Sequence, residues 1–140
     1  MKFAKSSCDK ALIILSCLGI IDAIYLTLVH FEKSLLVCPD SGIINCTQVL
    51  TSALSTIGGI PISVLGIIWF IGLLFIVIYK YKGVFSNIWL IIGCGGVAYS
   101  LIGMDIIGKI CIYCSLLDTL IVLSVLIFII SNKRISHNHI

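Results

Sequence analysis

Apolar residues fall along this chain in long unbroken runs, with neither the alternation of a strand nor the one-sided stripe of a surface helix. A helix rises about 1.5 Å per residue and a bilayer's hydrocarbon core is about 30 Å thick, so roughly 20 apolar residues cross it. Four runs approach that length, at 11–29, 60–79, 88–104 and 110–130. The second and third carry no charge, the first carries Asp22 and the last Asp118. Leu, Ile and Val arrive without a two-residue period, which excludes barrel strands. The pattern predicts an all-α polytopic membrane protein, a single four-helix bundle.

The polar connections are unequal. The longest, 30–59, holds Cys38, Pro39, Asp40, Ser41, Gly42, Asn45 and Cys46. Pro39 and Gly42 beside Asp and Ser mark turns, because they supply fixed or positive φ and side-chain-to-backbone bonds. Over 47–57, Val49, Leu50, Ala53, Leu54 and Ile57 recur at helical spacing. That predicts an amphipathic half-helix, too short to span, lying as a cap against the bundle. Gly58-Gly59-Ile60-Pro61 then turns the chain into the second span, with Pro61 in its first helical turn. Gly93-Cys94-Gly95-Gly96 lies inside a span with no strand before it, so it is not a nucleotide loop. It reads first as helix packing and second as the close approach of a flat ligand.

Composition agrees. Of 140 residues 60% are hydrophobic and 11% charged, with mean hydropathy +1.23. A soluble domain carries about a quarter charged residues, so lipid must cover much of this surface. Basic residues set orientation. Lys2, Lys5 and Lys10 precede the first run, Lys80 and Lys82 follow the second, and Lys133 and Arg134 follow the fourth. All fall on one side, expected to be cytoplasmic together with both termini; Lys33 and Lys109 fall on the other. The net charge of +3 is thus a topology signal, and no nucleic-acid partner is expected. The first run is long for a signal peptide, carries Asp22 and lacks a cleavage site, so it is expected to remain. Ile14 to Cys17 only loosely resembles a lipoprotein box. His137 and His139 are expected to be solvated.

The chain has seven cysteines. Cys8 falls on the cytoplasmic side, and Cys17 and Cys94 fall inside spans; for all three a small apolar packing role is expected. Cys38, Cys46, Cys111 and Cys114 fall at the outer, oxidising face, where disulfides persist. Cys111-Ile112-Tyr113-Cys114 lets two thiols close a small ring on one turn. It opens a helix, whose free N–H groups stabilise thiolate. Two pairs on one face suggest a relay, because thiol–disulfide exchange moves two electrons through sulfur contact. A flexible loop pair reaches both an external partner and the helix pair, and the helix pair sits at the membrane edge beside a lipid-soluble acceptor. The competing readings are a structural Cys₄ zinc site, for which the Cys38–Cys46 spacing is loose, and a purely structural membrane subunit.

These motifs together resemble the vitamin K epoxide reductase family in its prokaryotic form, from about Gly19 to about Phe128. The likeness rests on Tyr25-Leu26-Thr27, on Cys38-Pro39 with Cys46 eight positions after Cys38, and on Thr51-Ser52. It continues through Gly59-Ile60-Pro61 with Leu65-Gly66, and ends on Cys111-Ile112-Tyr113-Cys114. The resemblance implies a bundle around a quinone (menaquinone, ubiquinone or a relative) that serves as electron acceptor, with no metal. Cys38 and Cys46 would be the shuttle cysteines, Cys46 would exchange with Cys111, and Cys114 would face the quinone. Ser52 would hydrogen-bond near the quinone. Animal members carry a tyrosine where this chain has Asp118, and an asparagine in the span region that is wholly apolar here around Phe75. Many prokaryotic members carry a fused thioredoxin-like domain. None follows the fourth run here, so a separate thioredoxin-like thiol oxidase is implied as electron donor.

A carboxyl inside a span is costly and by default functional. Quinone reduction takes up two protons, which a buried carboxyl could deliver. Asp118 lies one turn beyond Cys114 and is the stronger candidate for a proton relay; Asp22 is the weaker.

Overall fold

The computed structural model describes residues 7–38, 41–81 and 83–137, with side chains as far as 134. Lys2, Lys5, Lys82, Pro39, Asp40 and His139, each given a role in the sequence reading, lie outside the described residues, as does the side chain of His137. The chain runs α1 (Ser7–Phe31), α2 (Cys46–Leu50), β1 (Thr56–Ile57), β2 (Ile60–Pro61), α3 (Ile62–Ile78), α4 (Val84–Ile107) and α5 (Ile112–His137). The result is a helical membrane bundle whose strand content, among the described residues, is one short antiparallel pair.

Helix α1 is the centre of the bundle, packed along α3 and α5, with α4 against α5 and α3. Its buried residues are Leu12, Ser16, Gly19, Ala23, Leu26 and Val29, one every third or fourth position. That spacing keeps a single face toward the core. The opposite faces are equally apolar: Ile21 is 65% exposed, Ile91 69% and Ile102 60%. Helices that are hydrophobic all round are stable only with lipid against their outer faces. Three of them, α1, α4 and the 112–134 portion of α5, are long and apolar enough to cross a membrane. Helix α3 is apolar but has 17 residues, which at about 1.5 Å each gives about 25 Å.

The start of α3 differs from expectation. Gly58 (φ 59°) and Gly59 (φ 83°) both take positive φ, the requirement of a two-residue hairpin turn. They pair Ile57 with Ile60 and Thr56 with Pro61. Pro61 is therefore the residue before the helix rather than part of its first turn, with ψ 137°. The half-helix is shorter than 47–57 too. Helix α2 stops at Leu50, and Ser52 is extended at ψ 156°. Hydroxyls drive the break: Thr51 Oγ1 donates to the Thr47 carbonyl at 2.7 Å and Ser52 Oγ to the Val49 carbonyl at 2.9 Å. Ser55 Oγ donates to the Leu50 and Ser52 carbonyls at 2.8 and 2.7 Å. Such side-chain bonds offer the backbone an alternative to the helical ladder.

Helices α3 and α4 are joined by a reciprocal tryptophan clasp. Trp69 Nε1 donates to the Trp89 carbonyl at 2.8 Å, and Trp89 Nε1 donates to the Trp69 carbonyl at 3.0 Å. Each indole lies over a glycine of the facing helix, Trp89 over Gly72 and Trp69 over Gly93. Gly93 thus serves helix packing, while Gly95 and Gly96 face open space. The packing role expected of Cys17 and Cys94 is not found. Both are exposed on the outer faces, because Cys17 is one residue, and about 100° of helix rotation, away from the buried Ser16.

Alanine at Gly72 or Gly93 drives a Cβ into an indole that is tied at its N–H. Either substitution is expected to cost about 1–3 kcal/mol, read as a lower melting temperature in detergent micelles. Gly95→Ala, whose Cβ meets nothing within 4 Å, is expected to leave the melt unchanged.

Candidate functional site

Two backbone hydrogen bonds place the long loop. The Asn45 N–H donates to the Ile110 carbonyl at 3.1 Å, and the Ile110 N–H donates to the Ile43 carbonyl at 2.9 Å. They form a parallel bridge between Ile44 and Ile110. Lys109 Nζ adds a bond to the Gly42 carbonyl at 2.6 Å. The Asn45 side chain then accepts the Gln48 N–H at 2.9 Å and caps α2, so Cys46 becomes the first helical residue. In this register Cys46 follows Ile44 by two residues and Cys111 follows Ile110 by one. Both pairs of sulfurs are therefore at one end of the bundle.

Cys38 and Cys46 are joined as a disulfide, with Cα atoms 6.3 Å apart, whereas Cys111 and Cys114 are thiols. Burial separates their accessibility. Cys46 is 1% exposed and Cys111 fully buried, while Cys38 and Cys114 are half-buried. Cys111 lies just ahead of α5, outside the membrane-spanning segment 112–134. Hydrogen bonding from Cys114 holds its thiol below the usual cysteine range, against the burial that pushes it up. One such bond is the Cys114 N–H to Cys111 Sγ at 3.3 Å. A sulfur so placed is suited to attack or to leave as thiolate.

Cys114 lies in the wall of a cavity of roughly 380 Å³ between α3, α4 and α5, covered by residues 49–57. That volume is in the range that holds a small organic molecule. Leu26, Leu50, Leu54, Trp69, Leu117 and Ile121 make its surface mainly apolar. Gly95 and Gly96 widen it by presenting no side chain. Its polar points are few. Ser52 and Asp118, both expected at the site, line it together with Cys114. Asp118 is 8% exposed. Its Oδ2 has no hydrogen-bond partner among the described residues. Asp22 lies on α1 and is not part of the wall, although its Oδ2 is also buried without a partner among the described residues.

Three wall residues carried no signal in the sequence reading: His30, Tyr99 and Ser100. His30 hid at the polar end of an apolar run. Its Nδ1 lies 3.0 Å from the Leu50 carbonyl. A carbonyl only accepts, so Nδ1 carries the proton and Nε2 keeps its lone pair in the neutral ring. Tyr99 and Ser100 lie mid-helix, and only the packing of α4 on α5 reveals which way they face. The Cys₄ zinc reading fares poorly here, because the loop disulfide removes two of the four thiols. Among the described residues no three His, Cys, Asp or Glu side chains gather to hold a metal ion.

A family model described as the Vitamin K epoxide reductase family matches residues 10–131 of the chain. No curated protein and no solved structure matches it.

The burial difference across the loop pair yields a direct test. In the fully reduced protein in detergent, a polar maleimide is expected to label Cys38 well before Cys46, as followed by peptide mass spectrometry. Equal rates at the two would contradict the loop placement.

Proposed function

Because the chain belongs to the vitamin K epoxide reductase family, a family of membrane redox enzymes, we propose that it is a thiol:quinone oxidoreductase that reoxidises a separate thioredoxin-like thiol oxidase. The observation that best supports this is the continuity of the path. A half-exposed Cys38 is bonded to a buried Cys46, a backbone bridge joins Ile44, two residues before Cys46, to Ile110, one residue before Cys111, and Cys114 borders an apolar cavity.

The chemistry follows from those positions. A thiolate of the donor attacks Cys38 and releases Cys46 as thiolate. The donor's second thiolate then attacks its own sulfur in the mixed disulfide, closing the donor's disulfide and freeing Cys38. Cys46 attacks the Cys111–Cys114 disulfide at Cys111, releasing Cys114. Cys38 attacks Cys46, regenerating the loop disulfide and freeing Cys111. The pair on the helix then closes again, and its two electrons, with two protons, convert the quinone to quinol. The order is downhill only if the acceptor's potential lies above that of the thiols. A loop disulfide with Cys111 and Cys114 as thiols is the state immediately before quinone reduction.

The remaining roles belong to the cavity wall. Ser52 donates to the Val49 carbonyl, and one side-chain rotation would redirect that hydroxyl to a quinone oxygen. Asp118, bordering the same space with one oxygen unpaired, would deliver a proton. Lys10 in the first turn of α1, Lys80 just past α3, and Lys133 and Arg134 near the end of α5 lie at the ends away from the loop, and Asp9, Lys80 and Asn132 border one small crevice there. By the preference of basic residues for the cytoplasmic side, that end would face the cytoplasm and the cysteines would face outward.

The purified chain, given menaquinone or ubiquinone and a reduced thioredoxin-fold protein, is expected to form quinol. Cys111→Ser and Cys114→Ser should each abolish the reaction. Asp118→Asn should slow it by about 100-fold if the carboxyl acts as general acid. Quinol formation by either serine variant at the normal rate would refute the relay, and full turnover by Asp118→Asn would remove that residue's role alone.

A further inference from the structure

Among the described residues, the segment leading to Cys38 has no sheet neighbour. After a single 3₁₀ turn at Lys33–Leu35 the backbone is extended, and the Val37 side chain is 76% exposed. Burial of that side chain therefore does not hold the segment. Two phenols do. Tyr25, on α1, donates its hydroxyl to the Leu35 carbonyl at 3.2 Å and accepts the Val37 N–H at 3.2 Å. Those are the two bonds an adjacent strand would make. Tyr113, on the first turn of α5, donates to the Val37 carbonyl at 2.5 Å. The two rings support each other, with centroids 5.0 Å apart and planes at 59°.

Position makes this more than a loop anchor. Val37 is bonded covalently to Cys38, and Tyr113 lies between Cys111 and Cys114. One hydrogen bond thus ties the backbone next to the shuttle sulfur to the turn that carries the receiving pair. The other arm of the loop is tied to the same place, through Ile43 and Asn45 to Ile110. With both arms fixed, Cys46 stays beside Cys111 when the loop disulfide opens. Cys38 stays within reach of Cys46 to resolve the mixed disulfide. Without the phenols, opening the disulfide would loosen the Cys38 arm, and an exchange step would more often have to restore the geometry first.

We propose that Tyr25 and Tyr113 are positioning residues for the internal disulfide exchange, a clamp that keeps the loop docked on the Cys111–Cys114 turn while its own disulfide is open. The clamp rests on the relay described above. It acts on the transfer between pairs and not on the donor's first attack, since a looser loop exposes Cys38 at least as well.

The test follows thiols rather than quinol. The fully oxidised chain in micelles is mixed with reduced thioredoxin in the absence of quinone, quenched in acid, alkylated and mapped by mass spectrometry. In the unaltered chain both pairs should open, the loop pair first. In Tyr25→Phe and Tyr113→Phe, which keep the rings and lose the hydroxyls, the loop pair should open at the normal rate. The helix pair should lag by about fivefold, the factor carried by one typical net hydrogen bond. A second background separates positioning from folding. In Cys38→Ala/Cys46→Ala chains dithiothreitol must reduce Cys111–Cys114 directly, and Tyr25→Phe should leave that rate unchanged. The clamp is overturned if the helix pair keeps pace in both phenylalanine variants, or if Tyr25→Phe slows the loop-free chain equally. If instead the unaltered chain opens its loop pair and never its helix pair, the relay itself fails and the clamp's function with it.

Discussion

Thiols and disulfides exchange only in contact, so the proposed relay depends on the two backbone hydrogen bonds between Ile43, Asn45 and Ile110. They are local in space and remote in sequence, joining residues more than sixty positions apart. The proposed common function of Cys38, Cys46, Cys111 and Cys114 follows from that joint. It joins the chain just before Cys46, at the start of α2, to the residue before Cys111, just ahead of α5, and residues 49–57 lie over the cavity that Cys114 borders. The bridge pairs four backbone groups while it joins the two cysteine-bearing stretches.

The bundle beneath leaves a cavity at the end that carries the cysteine pairs. Helix α1 fills the centre through small residues, with Gly19 admitting the Phe70 ring and Ala23 fully buried. The tryptophan clasp holds α4 to α3 at Gly72 and Gly93. A few residues further along α4, Gly95 and Gly96 leave room rather than fill it. One glycine-rich stretch thus serves packing on one side and vacancy on the other. The polar groups that remain inside are few enough to name, and the unpaired carboxyl oxygen of Asp118 is the most conspicuous.

What the sequence made legible divides along physical lines. Continuous apolar runs identify membrane helices without reference to a partner, so the bundle was readable from the chain alone. The likeness in the cysteine motifs pointed to the family. Orientation about each helix axis was not readable, because a helix that is apolar all round carries no marker of its inner face. Cys17 and Cys94 therefore looked like core residues and turned out to face outward. The end of α2 was hidden for a different reason. Thr51, Ser52 and Ser55 fit the polar face of a continuing helix, yet their hydroxyls capture the carbonyls behind them and stop it. His30 and Ser100 became visible only when another element closed over them, as did the reach of Tyr25 to Leu35 and Val37.

The central claim is that Cys46 and Cys111 meet. Replacing Cys114 with alanine leaves Cys111 without its own partner and free to attack the loop disulfide, with no second thiol to resolve the product. Peptide mapping of that variant under non-reducing conditions should find Cys46 linked to Cys111, with Cys38 as the thiol released. A Cys38–Cys111 link, or a loop disulfide that persists with Cys111 unpaired, would contradict the account.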